Sequence, residues 1–581
     1  MSFKDPRSER EYYRLRTIRD IAHELAGDRP YPPGTSQSSQ LAKIRSLLDD
    51  PDDPAFPTLT SQPPSGTISY DSDVFNVILT SFNVFTVIWD ASKDPRNRSL
   101  APTMRALWPH IVRWGAVLHP ARGRLMRTPT QRNSGRDVAG IVQAYLTIIE
   151  TDVTYVKPFL HANPDAVAQI FELWLEFHNC IPPSAMDASG SAHGAIEIIV
   201  IAYTHLANCE NHPTAEDRAL FVDALSQAVG TKRALYLAFA RQTDFLASLT
   251  MMPPLVPQIW RNHFGLLTVL ARLPEFSRQK IPRCTVTSIV AAANRCVKLP
   301  QAVEGTQRAV VLITSLCRVA RDSRPLAHAA QAGVFDLLRN LSYAAEEYDA
   351  SDLAHHLCTG LFSQVRVVRA FHRFHPQPWD VGPVVPQKKK AQPQATWKDV
   401  ARVWNSARET YLLKYCKKDW RRTMGCHNSQ GPHNRLVRVC PCASVFYCSG
   451  SCQRMHWAAA HREDCRAEDG PWGLRGTLSL GDAIFICTVV RSYILAHRTA
   501  IAGQMPSILP KGQKKGAKQA VILVDLTVVP GPRHEVCTRT GDSHSAGMVL
   551  VEVALRVGRS KPRRVLPFTY DAGYFNGAVD V

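Results

Sequence analysis

Seven of the fifteen cysteines lie between Cys416 and Cys465, and this crowding constrains the fold more than any other feature of the chain. The spacing is Cys440-Pro-Cys442, five residues, Cys448, three residues, Cys452, and finally His461, three residues, Cys465. Thiolate and imidazole are zinc's preferred structural ligands, and two of them a few residues apart let one turn fill two corners of a tetrahedron. So short a stretch has little apolar core, so its folding must lean on the metal. Disulfides are the competing explanation. The N-terminus, MSFKDPRSEREYY, is charged from its fourth residue and lacks the apolar run of a secretory leader. The expectation is an intracellular, reduced protein, in which clustered cysteines bind metal more often than they pair.

These residues resemble the MYND zinc finger, whose pattern is two Cys pairs, Cys-x3-Cys-Gln, a Trp and a closing His-x3-Cys. Phe446-Tyr447-Cys448-Ser449 matches the aromatic-Cys-Ser step and Cys452-Gln453 the next. Trp457 falls at the Trp position and His461-Arg-Glu-Asp-Cys465 closes the motif. The resemblance implies two structural zinc ions held in an interleaved arrangement. Carried over, Cys440, Cys442, His461 and Cys465 hold one ion; Cys426, Cys448 and Cys452 hold the other, with a fourth ligand to be found. The sequence departs from the pattern twice. Only Pro441 separates Cys440 from Cys442 where the family usually has two residues, so the turn is tighter and ligation by both stays open. Cys426 has no cysteine shortly after it, and Gly431 stands where many fungal relatives place one. His433 is the expected substitute, because imidazole replaces thiolate readily, with His427 and Cys416 as alternatives.

The expected fold is mainly α, with a helical-repeat-like (armadillo/HEAT-like) N-terminal region, a small two-zinc finger and a small C-terminal α+β unit. At 581 residues the chain exceeds one compact core. Residues 1–375 read as helix after helix, as in Ser72–Ala91, where Val74, Ile78, Phe82, Phe85 and Ile88 share one face. Arg136–Phe159, Ala166–Phe177, Ala219–Ala247 and Asp352–Phe374 repeat the pattern. Ala330–Leu341 looks like the opening of an armadillo-repeat helix, although no fixed period runs through the region. Residues 376–396, rich in Pro and Lys, read as a linker, and 397–425 as a helix leading into the finger at 426–465. A helical segment, 466–505, follows, with Asp482 in the first turn of a helix over Ser479–Ala500. Then come a basic linker, 506–519, and the α+β unit, 520–581. Ala520–Val529 and Met548–Val557 read as strands paired across the polar loop between them. No run approaches the roughly 18 to 20 uninterrupted apolar residues that span a bilayer. The best candidate, Ala195–Ala207, contains Glu197 and His205.

The finger's resemblance implies protein partners, among them short proline-containing peptides, and a scaffold or regulatory adaptor with no catalytic activity. Four protein ligands per zinc leave no open position to activate water. A SET–MYND-like lysine methyltransferase is the remote alternative, but an Asn-His-Ser-Cys-type step is missing, and Asn262-His263-Phe264 does not supply it. Nucleic-acid association is the other alternative. From Pro376 onward there are 30 Lys and Arg against 15 Asp and Glu, with clusters at Lys511, Lys514, Lys515 and Lys518 and at Arg556, Arg559, Lys561, Arg563 and Arg564. Such clusters also serve nuclear import, so nucleus and cytoplasm are both expected locations. Cysteines outside the cluster, Cys180, Cys209, Cys284, Cys296, Cys317, Cys358, Cys487 and Cys537, read as small buried hydrophobes.

Overall fold

The computed structural model describes residues 3–576 apart from 129–134, 185–187, 209–212, 250–254, 278–279, 321, 346, 382–395, 431–432, 434–435, 506–517, 541–547 and 557–559. The chain divides into two compact units, Met1–Leu267 and Thr268–Val581. The division falls inside the helix Val256–Arg272, within the stretch expected as one helical domain.

The first unit is helical apart from a two-residue parallel bridge of β1 (Ile68–Ser69) with β2 (Leu125–Met126). At its centre runs the helix Asp73–Ser92, capped by the Ser72 hydroxyl and packed against Pro6–Ala26 and Arg136–Ile149. By length and composition this helix is long and apolar enough to cross a bilayer, although polar residues interrupt its apolar run. Two-thirds of its apolar window is buried inside the protein, as in the core helix of a globular unit. Pro164–Cys180 packs against Ala188–Leu206 and Ala215–Val229. Trp114, Trp174, Phe82, Phe85, Phe171 and Phe239 are fully buried between these layers. Two of the long helices expected in this unit are broken, as is Asp352–Phe374 in the second, parted at Gln364. Arg136–Phe159 becomes Arg136–Ile149 and Val153–Ala162, restarted by the Asp152 cap. Ala219–Ala247 becomes Ala215–Val229 and Lys232–Ser248, parted at Gly230 and recapped by Thr231.

The second unit opens with further paired helices: Arg283–Cys296 with Val303–Val319, Arg324–Gln331 with Val334–Ala344, and Ser351–Ser363 with Val365–Phe374. The armadillo-like segment is thus two helices meeting at Gly333, whose φ of 89° suits a residue without Cβ. The first residues of the expected 376–396 linker are not free. Trp379 exchanges two hydrogen bonds with the Asn405 side chain, and Arg408 Nε donates to the Pro376 carbonyl. The helix Leu480–Ala496 begins with a Ser479/Asp482 capping box, and Asp482 also accepts from the Val365 N–H. It bends by 75° into Arg498–Gln504.

The C-terminal sheet has the order β6-β5-β7-β8, with β5 Lys518–Asp525, β6 Arg533–Thr540, β7 Met548–Ala554 and β8 Arg563–Asp571. The two strands read from the sequence, β5 and β7, are neighbours, but they pair in parallel and are not a hairpin across a loop. The stretch between them contains β6, which pairs antiparallel with β5. Consecutive residues of β5, Val521 to Val524, are buried, so both faces are covered; this is why its sequence runs apolar without alternation. The outer strands β6 and β8 carry charges, and β8 carries Pro567 as well, which hid them.

Candidate metal centre

The finger begins where the helix Trp397–Glu409 runs through a π turn, Thr410–Tyr415, into the short helix Trp420–Thr423. Val437 N–H donates to the Arg421 carbonyl and Arg421 Nε to the Val437 carbonyl, tying this helix to the start of a small hairpin. That hairpin pairs β3 (Arg438–Val439) with β4 (Phe446–Tyr447). Between its strands the chain turns at Cys440-Pro-Cys442-Ala443. Cys440 N–H donates to the Val445 carbonyl, Ala443 N–H donates to the Cys440 carbonyl, and Ala443 takes the left-handed conformation at φ 62°. The left-handed residue follows the second cysteine, which is how a one-residue spacing still presents two sulfurs. After β4, the Ser449 hydroxyl accepts from Cys452 N–H and caps the helix Gly450–His456. A π turn, Trp457–His461, continues the helix, and Cys465 N–H closes on the His461 carbonyl.

These elements gather eight side chains into two groups, Cys426/His433/Cys448/Cys452 and Cys440/Cys442/His461/Cys465, each with all its donor atoms within 4.8 Å of one another. In the first group Cys448 and Cys452 Sγ are 3.5 Å apart, and His433 Nδ1 lies 3.6 and 3.9 Å from them. In the second, Cys440 and Cys465 Sγ are 3.9 Å apart and Cys442 Sγ is 3.4 Å from His461 Nε2. Zinc bonds of about 2.3 Å to sulfur and 2.0–2.1 Å to nitrogen make tetrahedral edges of about 3.5–3.8 Å, which these separations match. A disulfide would need about 2.05 Å. The groups are interleaved along the chain, so neither closes without the other's loops. Both are consistent with zinc, two ions in all.

Nearby groups favour the thiolate form at Cys442 and Cys452, whereas burial holds the Cys426 and Cys465 thiols up. Cys442 is pushed down to about 5 by hydrogen bonding with Cys440, whose own thiol is held up, and Ser444 N–H points at its sulfur from 3.4 Å. Cys452 is pushed down to about 6 by Ser449 and then by Asn428. Filled with zinc, each set of three thiolates and one imidazole would carry a formal charge of minus one.

The two alternatives for the fourth ligand lie elsewhere. His427 Nδ1 accepts from the Phe446 N–H and its own N–H donates to the Phe446 carbonyl, so it extends the hairpin. Cys416 is exposed, beside Tyr411. His456 Nδ1 and Tyr447 Oη share a hydrogen bond at 2.8 Å. Outside the finger, Cys296, Cys358 and Cys487 are buried as expected, Cys180, Cys317 and Cys537 are partly so, and Cys284 is exposed because it opens its helix. Cys209, Arg559 and Lys511 to Lys515 lie outside the described residues.

Sequence reasoning missed Asn428 and Trp472. Asn428 is buried, donates to the Gln430 carbonyl and bonds Cys452. Trp472, at φ 52°, donates its N–H to the Cys442 carbonyl at 2.9 Å and Nε1–H to the Ala443 carbonyl at 3.1 Å. Its own carbonyl accepts from Arg564 Nε on β8. A strained Pro-Trp-Gly step beyond the last cysteine is the only local sign of this latch.

Residues 424–465 match the MYND finger family. No curated protein and no solved structure matches the chain. The family match and the two Cys/His groups agree on the same forty residues, and the chain thus carries a MYND zinc finger at 424–465 within a larger, mostly helical protein.

Proposed function

We propose that the protein is a zinc-binding scaffold or regulatory adaptor, without catalytic activity, in which the finger presents a peptide-binding face. A MYND finger is a protein-interaction module. The observation that carries the reading is the pair of closed four-residue donor groups, which use every tetrahedral position and leave the metal a structural part. In this reading Cys426, His433, Cys448 and Cys452 ligate one ion, and Cys440, Cys442, His461 and Cys465 the other. Trp457 is 37% exposed and meets the His461 ring edge-on, an exposed aromatic on the finger's last turns suited to proline-containing peptides. The paired helices over 283–374 support an armadillo/HEAT-like surface as the second contact region. A reduced compartment, nucleus or cytoplasm, suits the free thiolates.

Metal analysis of the full chain tests the ligand sets: two zinc ions are expected, and one in His433→Ala. Two ions retained in that variant would exclude His433. Capture of the full chain on a proline-containing peptide array should fall in Trp457→Ala at unchanged zinc content. Methyl transfer from S-adenosylmethionine to a lysine peptide would sink the adaptor reading. The nucleic-acid alternative has fewer available charges than its sequence suggests, since Arg564 is engaged by Trp472 and Arg556 is half-buried. It predicts a steep salt dependence of affinity.

A further inference from the structure

The helices Pro6–Ala26, Asp73–Ser92, Arg136–Ile149 and Ala188–Leu206 line an open cavity of about 650 Å³ in the first unit, the size of a small-molecule site. Small residues open it. The helix Ala188–Leu206 starts Ala-Ser-Gly-Ser-Ala-His-Gly, and a Cβ added at Gly194 would come within 2.5 Å of Val142, showing how closely that helix approaches its neighbour. Gly190, one turn earlier, lines the cavity, and a Cβ there would meet nothing within 4 Å. Arg19, Arg136 and His193 also line it, with no Asp or Glu among the described lining residues.

Arg19 and His193 have hydrogen-bonding capacity to spare. Arg19 Nη2 lies 3.4 Å from Asp20 and His193 Nδ1 lies 3.5 Å from Glu197, carboxylates that stand outside the lining. Arg19 Nε and His193 Nε2 are buried, yet neither has a hydrogen-bond partner in the protein. A buried nitrogen without a partner is costly, and a lining with two guanidiniums and an imidazole is complementary to negative charge. Asn83 and Gln143 add neutral polar contacts, and Phe82 and Leu146 give an apolar wall.

We infer that this cavity binds a small organic or inorganic polyanion, phosphate- or carboxylate-bearing, with Arg19 and Arg136 holding the charge and His193 Nε2 a third contact. Isothermal titration of the zinc-loaded full chain with inorganic pyrophosphate and with citrate tests the inference. At least one probe should saturate a single site, with roughly tenfold or greater weakening in Arg19→Gln/Arg136→Gln. Gly190→Phe, which removes no charge and fills the space, should abolish the binding, while Gly190→Ala should keep it. An unchanged melting temperature of the first unit in Gly190→Phe separates occlusion from misfolding. Saturation by neither probe would overturn the inference. So would equal binding in Gly190→Phe, because the anion would then be following the chain's formal charge of +19 and not this cavity.

Discussion

The first helical unit and the finger order their chains by opposite means. In Met1–Leu267 order comes from area: Trp114, Trp174 and a set of phenylalanines are removed from water, and any one contact is a small part of the whole. In 424–465 there are few such side chains, and order comes from eight donor atoms meeting at two points. Burial tolerates swaps that conserve volume and apolarity; ligation does not tolerate loss of a donor, because a tetrahedron lacking a corner is a different site. The two regions should therefore fail differently.

The largest effect is expected from chelation. A structural zinc contributes about 10–16 kcal/mol in small zinc-dependent domains near pH 7. Stripping the metal from the full chain should remove hydrogen-exchange protection across 424–465 and leave Met1–Leu267 protected. Protection persisting in the finger would mean that packing holds it after all. Trp174→Ala is the converse: it should cost the first unit about 3–5 kcal/mol in denaturant melts, with zinc content unchanged.

Acid sharpens the contrast. Burial pushes His263 down to about 3 and His119 to about 4, from an ordinary value of 6.5. The unfolded chain takes up these protons as the pH falls through about 6.5, and the folded unit resists until 3 to 4, so stability is lost on acidification across that window. Each histidine adds a slope of up to about 1.4 kcal/mol per pH unit. His263→Gln, which can keep a partner for the Thr243 hydroxyl, should flatten the pH profile of the first unit's melting. The smallest expected effect is Trp472→Phe. It removes only the Nε1 hydrogen bond to Ala443, about 0.5–1.5 kcal/mol, and should loosen zinc at Cys440/Cys442 without moving the first unit's melt.

The same contrast governs what could be read from the sequence. Zinc spacing is a local code, so the eight residues that the structure gathers into two groups, His433 among them, could be singled out from the sequence. Helix periodicity was legible too, but its breaks at Gly230 and Asp152 were not, because apolar spacing continues across them. The parallel pairing of β5 and β7 and the strands β6 and β8 depended on partners far along the chain. Trp472 was the least visible, since it acts 29 residues from Ala443 and 92 from Arg564.

That latch also moves the practical edge of the finger. Cys465 supplies the last donor atom, but the Cys440–Ala443 turn is closed by a backbone N–H and an indole that belong to Trp472, which is itself anchored by Arg564. A fragment cut anywhere between Cys465 and Trp472 keeps every sulfur and loses the brace on its tightest loop. Excised in that way, the finger would exchange metal faster than it does in the whole chain. Its lability would then be a property of where the scissors fell.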